Sequence, residues 1–382
     1  MVNLMTTSKY IQTLGCRKFI ILGAFMIGAG NVSFGFLDQI EDKNLFFGLS
    51  ILVRVFIAVG EAGLNPAAFA LAGKQVSAEN QGKATSLAES FFGVGSMFGP
   101  TIGGYLFDKG GFSLPFWASG GFSLLLSFSC IFLMRNVEEA FEETAEDTKD
   151  VTWREIVTAP GVGVSVWAMV CAGTAWQWYS PSLEPFLILT YGVSSFQTGL
   201  VFMAFGVTYT IFTPIVGYLT DKGMDGITVI ILGNLCILIA FVLLGPIPPV
   251  KSVLGGNLGL TVFSVGLQGL GSGATYLGSL LLMMRGVVEA GLPDKEQTRG
   301  MVSSLWISAD CVGGYLGDTL GSLAYDYFGF ETGTAIMSAV MLLSVVSSCC
   351  YVVCLANKAS QASLSSSEEG EEVSERTRLI EA

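Results

Sequence analysis

The chain has 382 residues, 51% of them apolar and only 13% charged, with a mean hydropathy of +0.62; soluble domains run near a quarter charged, so that class is excluded. A net charge of −12 with no basic stripe excludes a nucleic-acid partner. Histidine is absent, which removes the usual general base and the commonest metal ligand and leaves any proton chemistry to carboxylates.

A helix needs about 20 apolar residues to cross the hydrocarbon of a bilayer. Ten stretches qualify: 19–36, 46–70, 84–107, 115–134, 162–181, 196–219, 227–245, 258–284, 301–324 and 333–356. The chain is therefore predicted to be an all-α, multi-pass integral membrane protein. Residues 1–13 are polar and mixed, so no cleavable signal is expected ahead of the first span. The cysteines fall almost wholly in apolar runs without metal-ligand spacing and read as small buried hydrophobes; no metal site is expected.

Basic residues collect on cytoplasmic loops. With the N-terminus cytoplasmic, that side holds fifteen lysines and arginines and the opposite side only Lys43, Lys109 and Lys251, so both termini are predicted to be cytoplasmic. One arginine, Arg54, stays inside the membrane. The acidity is local: residues 135–155 carry eight acids and three bases, and the tail from Asn357 six acids and three bases. Most of the −12 therefore describes solvated segments rather than a substrate.

An internal repeat runs at an offset of 218 residues. Gly82, Gly95, Gly99, Gly103, Asp108 and Phe112 return as Gly300, Gly313, Gly317, Gly321, Asp326 and Phe330. Repeated membrane halves mark secondary transporters. The repeated glycine helix is third of four spans before the acidic segment and fifth of six after it, so the first half is expected to be two helices short. The predicted units are an N-terminal bundle (1–134), an acidic cytoplasmic linker (135–160), a C-terminal bundle (161–356) and a disordered acidic tail (357–382).

These features resemble the major facilitator superfamily, which implies two six-helix bundles around a central cavity with alternating access, here four helices plus six. Gly15-Cys16-Arg17-Lys18 is similar to the end of that superfamily's loop motif, and Gly217, Asp221, Lys222 and Gly223 to its second-half counterpart. Gly95, Gly99, Pro100, Gly103 and Gly104 resemble the antiporter motif of the fifth family helix; small residues let helices approach closely and proline bends them. Leu52-Val53-Arg54-Val55, Glu89 and the run from Gly233 to Pro248 resemble the vesicular amine transporter family, solute carrier family 18, and its polyamine branch. The chain departs from the monoamine branch at Ala274 and Ile307, where that branch carries aspartates, and has Ser180-Pro181-Ser182-Leu183 with Glu184 where the family shows an acid-Pro-x-Leu sequence. The resemblance implies exchange of protons for a small organic cation in an acidic vesicle, without a cofactor.

A charge at the bilayer centre costs roughly 2.5 to 3.5 kcal/mol, so Arg54, Glu61, Glu89, Asp310 and Asp318 need a reason to exist. Arg54 and Glu61 share a helix face about 10 Å apart, and Asp310 and Asp318 lie about 12 Å apart along the eleventh family helix, a spacing that suits successive stations for protons or a cation. Asp310 is the leading candidate for coupling. Trp176 and Tyr179 are placed for cation-π contact with an amine. At the C-terminus, Glu375, Leu379 and Ile380 fit an acidic dileucine signal read by clathrin-adaptor sorting machinery, which points to vesicle or endolysosomal membranes. No enzyme motif is present: there is no phosphate-binding glycine loop, metal cluster or nucleophile with a histidine base. The readings left beside proton-coupled polyamine export are a multidrug/proton antiporter and a transport-inactive truncated homologue that binds or regulates.

Overall fold

The computed structural model describes the backbone of residues 16–74, 81–134, 151–245, 257–293 and 296–380; side chains are described there except at 16, 66, 69–70, 72–74, 81–90, 92, 221, 296–297 and 358–380. Among the described residues every regular element is helical. The physical reason is that a backbone in hydrocarbon must satisfy its own polar groups, and a helix does so within one segment.

The first bundle contains α1 (Cys16–Gly35), α2 (Lys43–Lys74), α3 (Gln81–Gly110) and α4 (Ser113–Leu133). The second opens with a short α5 (Trp153–Thr158), followed by α6 (Val162–Trp178), α7 (Ser180–Tyr191), α8 (Ser195–Asp221), α9 (Gly226–Leu244), α10 (Leu258–Glu289) and α11 (Glu296–Ile380). Among the described residues, six apolar segments are long enough to cross a membrane by length and composition, Arg17–Gln39, Lys43–Asn65, Ser113–Leu133, Ser195–Thr220, Gly226–Leu244 and Thr298–Asn357. The last is long enough for two crossings and is broken at Gly329, whose φ of +77° only glycine adopts without strain. The helical backbone then continues to Ile380, through the stretch that the sequence assigns to a disordered tail. Glycine-rich α3 and α10, and α6 with α7, supply the remaining long rods.

Two local features depart from the sequence expectation. The span predicted to end at Pro181 resumes as α7 and runs to Tyr191, because proline is tolerated in the first turn of a new helix. The break falls at Tyr179, which closes α6 and opens α7. The acidic linker contains α5, nucleated by a capping box in which Thr152 accepts from the Glu155 N–H and the Glu155 carboxylate accepts from the Thr152 N–H.

Two glycine-lined seams organise the protein. Within the second bundle the first arm of α11 (296–328) lies parallel to α6. A side chain at Gly317 would stand 2.5 Å from the Thr174 carbonyl oxygen, and side chains at Gly313 and Gly321 would strike the carbonyls of Val170 and Trp178. Between the bundles, α3 and α8 run antiparallel: Gly104 meets Ser195, Gly199 meets Pro100 and Thr101, and Gly206 meets Met97. Thr101 Oγ1 donates to the Gly199 carbonyl at 2.9 Å.

The end of this second seam carries a cap contributed across the bundles. Ser194 Oγ takes the Gln197 N–H, and Asp108 of α3 accepts the neighbouring Phe196 N–H at 3.1 Å. A carboxylate at a helix N-terminus satisfies an orphan donor and complements the dipole. Asp108→Ala is expected to destabilise the protein by about 1 kcal/mol, read as a lower thermal unfolding midpoint in detergent. Asp108→Asn, which keeps an acceptor, is expected to recover most of the loss.

The interior of the second bundle is held by buried polar contacts between helices. Asn234 Nδ2 donates to Ser344 Oγ at 3.0 Å, Thr275 Oγ1 donates to Asn234 Oδ1 at 3.1 Å, and Gln268 Nε2 donates to the Ala175 carbonyl at 2.9 Å. All four side chains are essentially inaccessible, and such bonds join helices where hydrophobicity alone gives no net drive.

Candidate functional site

Asp310, on the first arm of α11, sits half-buried against α6 and α10. Tyr276 of α10 donates its hydroxyl to Asp310 Oδ1 at 2.8 Å. Room for the carboxylate comes from Gly173 of α6, where a side-chain carbon would stand 2.8 Å from the same oxygen. One residue type at each of three helices therefore makes the niche: an acid, a hydroxyl donor and a glycine.

From Asp310 a row of aromatic rings leads across the second bundle. Tyr276 meets Trp306 edge-on at 5.9 Å and Tyr209 at 6.3 Å. Tyr209 stacks on Phe205 at 5.8 Å, and Phe205 lies 3.7 Å from Trp176. Trp176 then meets Tyr179 at 6.4 Å. Trp306 Nε1 donates to Ser279 Oγ at 2.9 Å, which fixes that ring's orientation beside Tyr276. The row is an aromatic wall of three half-buried rings, Trp176, Tyr276 and Trp306, backed by Phe205, Tyr209 and Tyr179, which are buried in the core.

The remaining expected residues are distributed around this wall. Trp176 is half-buried and belongs to the row. Tyr179 is wholly buried, stacked on Phe202 at 5.9 Å and beside Phe241 at 6.1 Å; it lines the break between α6 and α7 from within the core. Broken helices in the membrane interior are where transporters commonly bind. Glu184 is half-buried one turn past the break. Asp318 is exposed and accepts from Gln177 Nε2 at 3.4 Å, two turns from Asp310 and outside its niche.

In the first bundle, Arg54 and Glu61 are exposed on α2. The Arg54 guanidinium lies 4.5 Å over the Phe34 ring. The side chain of Glu89 lies outside the described residues, as do those of Asp221, Glu375, Leu379 and Ile380.

The glycine motif splits in two. Gly104 and the Pro100 carbonyl pack on α8, whereas Gly95, Gly99 and Gly103 have open space where a side chain would stand. Their repeat equivalents Gly313, Gly317 and Gly321 are pressed on α6. In the loop motif, Gly223 has φ +104° and Lys222 lies 4.6 Å over the Tyr218 ring, while a side-chain carbon at Gly217 would stand 3.6 Å from Leu277. Tyr276, Gly173 and Trp306 do not stand out in the sequence, because an inward polar-aromatic pair on neighbouring helices has no linear signature.

Comparison with known proteins agrees with this architecture. Residues 4–170 and 165–380 match the profile of the Major Facilitator Superfamily. The Homo sapiens MFS-type transporter SLC18B1 is 27% identical over 337 residues, covering 88% of this chain and 72% of its own. The Rattus norvegicus protein of the same name is 29% identical over 340 residues, with 88% and 72% covered. A POT family transporter, solved in complex with a thioalcohol-conjugated peptide, superposes with a TM-score of 0.65 over 92% of this chain and 85% of that one at 12% identity, a likeness of fold.

Proposed function

Given that the chain belongs to the major facilitator superfamily and is an integral membrane transporter, we propose that it exchanges protons for a small organic cation, a polyamine or related amine, across the membrane of an acidic vesicle. The observation that carries this reading is the Asp310 niche at the head of the aromatic row. A carboxylate inside the membrane is tolerated when it is protonated or when a cation lies against it. Those two states exclude one another at a single acid. If the bundles rock only when Asp310 is neutralised in either way, inward passage of the amine requires outward return of the proton. Tyr276 holds the carboxylate in place and supplies one hydrogen bond to its charged form. The rings accept the methylene stem and charged nitrogens of the amine.

Arg54 and Glu61 supply the facing wall from the first bundle, where the arginine offsets the acid and keeps a polyvalent cation from stalling there. Asp318 serves as a second station about 12 Å along the helix axis. Alternating access is a rocking of the bundles about the α3–α8 seam, whose glycines allow close backbone contact without interlocking side chains. The experiment is uptake of a labelled panel of mono-, di- and polyamines into proteoliposomes with an acid interior. Accumulation of polyamines that collapses on dissipating the pH gradient is the expected result; equal uptake without the gradient would refute coupling.

The tail bears on location. With Glu375, Leu379 and Ile380 read as a sorting signal, the double variant Leu379→Ala with Ile380→Ala is expected to shift most of the protein from vesicles to the cell surface, measured by surface biotinylation. An unchanged distribution would dismiss the signal.

A further inference from the structure

The sequence reads the cysteines as small buried hydrophobes, and Cys171 is one. Cys349, Cys350 and Cys354, in the second arm of α11, are instead exposed free thiols. Cys350 and Cys354 lie one helical turn apart and prolong an outward strip through Leu343 and Val346, 61% and 49% accessible. The rotation of this arm is held from its inner side. Ser344 and Ser348 are buried there, and Ser344 Oγ accepts from Asn234 Nδ2 of α9 at 3.0 Å. The two thiols therefore stay on the face turned to lipid.

Their depth is set by the neighbouring helix ends. Tyr351 is half-buried, and its hydroxyl would lie 3.3 Å from a side-chain carbon at Gly161, the residue that opens α6. The same carbon would stand 3.0 Å from Leu282, in the last turns of α10, and Leu282 also lies 3.2 Å from the side-chain position of Gly226, the first residue of α9. Cys350 and Cys354 thus sit where the spans of the second bundle begin and end, the level that interfacial tyrosines favour. Arg154, Lys222 and Arg285 are exposed at this same end.

We propose that this end faces the cytoplasm, as clustered basic residues do, and that Cys350 and Cys354 are sites of reversible S-acylation by a long-chain fatty acid. Thiols at the cytoplasmic margin of a span are what this modification takes. The donor is a long-chain acyl-coenzyme A. The cysteine sulfur attacks the thioester carbonyl carbon, the bond from that carbon to the coenzyme sulfur breaks, and coenzyme A leaves as the thiol with the proton that cysteine gave up. One thioester replaces another, so no oxidant or reductant is consumed; hydrolysis by water restores the cysteine and releases the fatty acid. The acyl chain passes into the lipid along Val346 and Leu343. Cys311 is also exposed, but it lies beside Asp310 within the first arm of α11, away from the membrane surface where the acyl donor arrives. The attached chains tie the start of the tail to the bilayer by a bond that can be removed.

The test expresses the full chain in eukaryotic cells, blocks free thiols, cleaves thioesters with neutral hydroxylamine and tags the released thiols with a polyethylene-glycol maleimide. Each acylated cysteine then adds one step in gel mobility. The unaltered chain is expected to show two more hydroxylamine-dependent steps than the double variant Cys350→Ala with Cys354→Ala, and each single variant is expected to lose one. Cys311→Ala is expected to lose none. Equal ladders for the unaltered chain and the double variant would overturn the proposal. So would a modification of these two thiols that survives hydroxylamine, since it marks a bond other than a thioester. Both positions are exposed, and a thermal midpoint measured on each variant separates loss of acylation from loss of fold.

Discussion

Asp310→Asn is expected to abolish gradient-driven accumulation of the organic cation while leaving a folded, membrane-inserted protein. Asparagine is nearly isosteric and still accepts the Tyr276 hydroxyl, so the niche between Gly173, Tyr276 and Trp306 keeps its packing. What it loses is the choice between proton and cation, because an amide takes neither as a charge partner. Initial uptake into acid-interior proteoliposomes should fall at least about tenfold, to the level seen without a pH gradient, since one charge-assisted contact is worth about 1.5 to 3 kcal/mol. Tyr276→Phe is the companion measurement. It removes one hydrogen bond to the carboxylate but not the carboxylate, so coupling should persist with apparent affinity weakened about tenfold. Full proton-driven uptake by Asp310→Asn would sink the assignment of this acid.

The second large effect concerns folding. Gly317→Leu is expected to destabilise the protein by about 3 kcal/mol or more, at or beyond the usual cost of overpacking, because the obstacle is backbone rather than a movable side chain. Its first carbon would stand 2.5 Å from the Thr174 carbonyl oxygen and 2.9 Å from Gln177 Cβ. The helices must separate, and that separation would open the seam from Gly313 to Gly321. Gly99→Leu, at the equivalent position of the repeat, is expected to change stability by less than about 0.5 kcal/mol, since no atom lies within 4 Å of the added carbon. Thermal unfolding of the two variants in detergent gives the comparison, and equal losses would show that the two glycine stripes are buried alike.

This contrast shows where linear reasoning ends. The offset of 218 residues aligns Gly95, Gly99 and Gly103 with Gly313, Gly317 and Gly321 and treats both triplets as one motif. Only the second triplet meets a neighbouring backbone. A glycine spacing says that a close approach is permitted; which helix arrives is a long-range fact. The same holds for the site. Asp310 stands out in sequence because a charge in an apolar run is costly. Tyr276, 34 residues away, carries no such mark, and its role depends on α10 and α11 facing each other. Tyr179 is a further case: the sequence ends that span at Pro181, and neither the break at Tyr179 between α6 and α7 nor its complete burial was legible there.

By itself the sequence determined the class of protein, its all-helical character, its internal repeat and the few acids that stand within apolar runs. Those properties follow from local cost: an apolar run of membrane length must be a helix, and a charge within it must have a purpose. Tertiary structure alone decided which glycines are contacts, that Asp108 caps a helix of the other bundle, and that Asp310 is held by Tyr276 beside a row of rings. Each of these depends on the rotation and approach of helices far apart in the chain. In a membrane those are set by packing between apolar surfaces of similar composition, and composition therefore leaves no record of them.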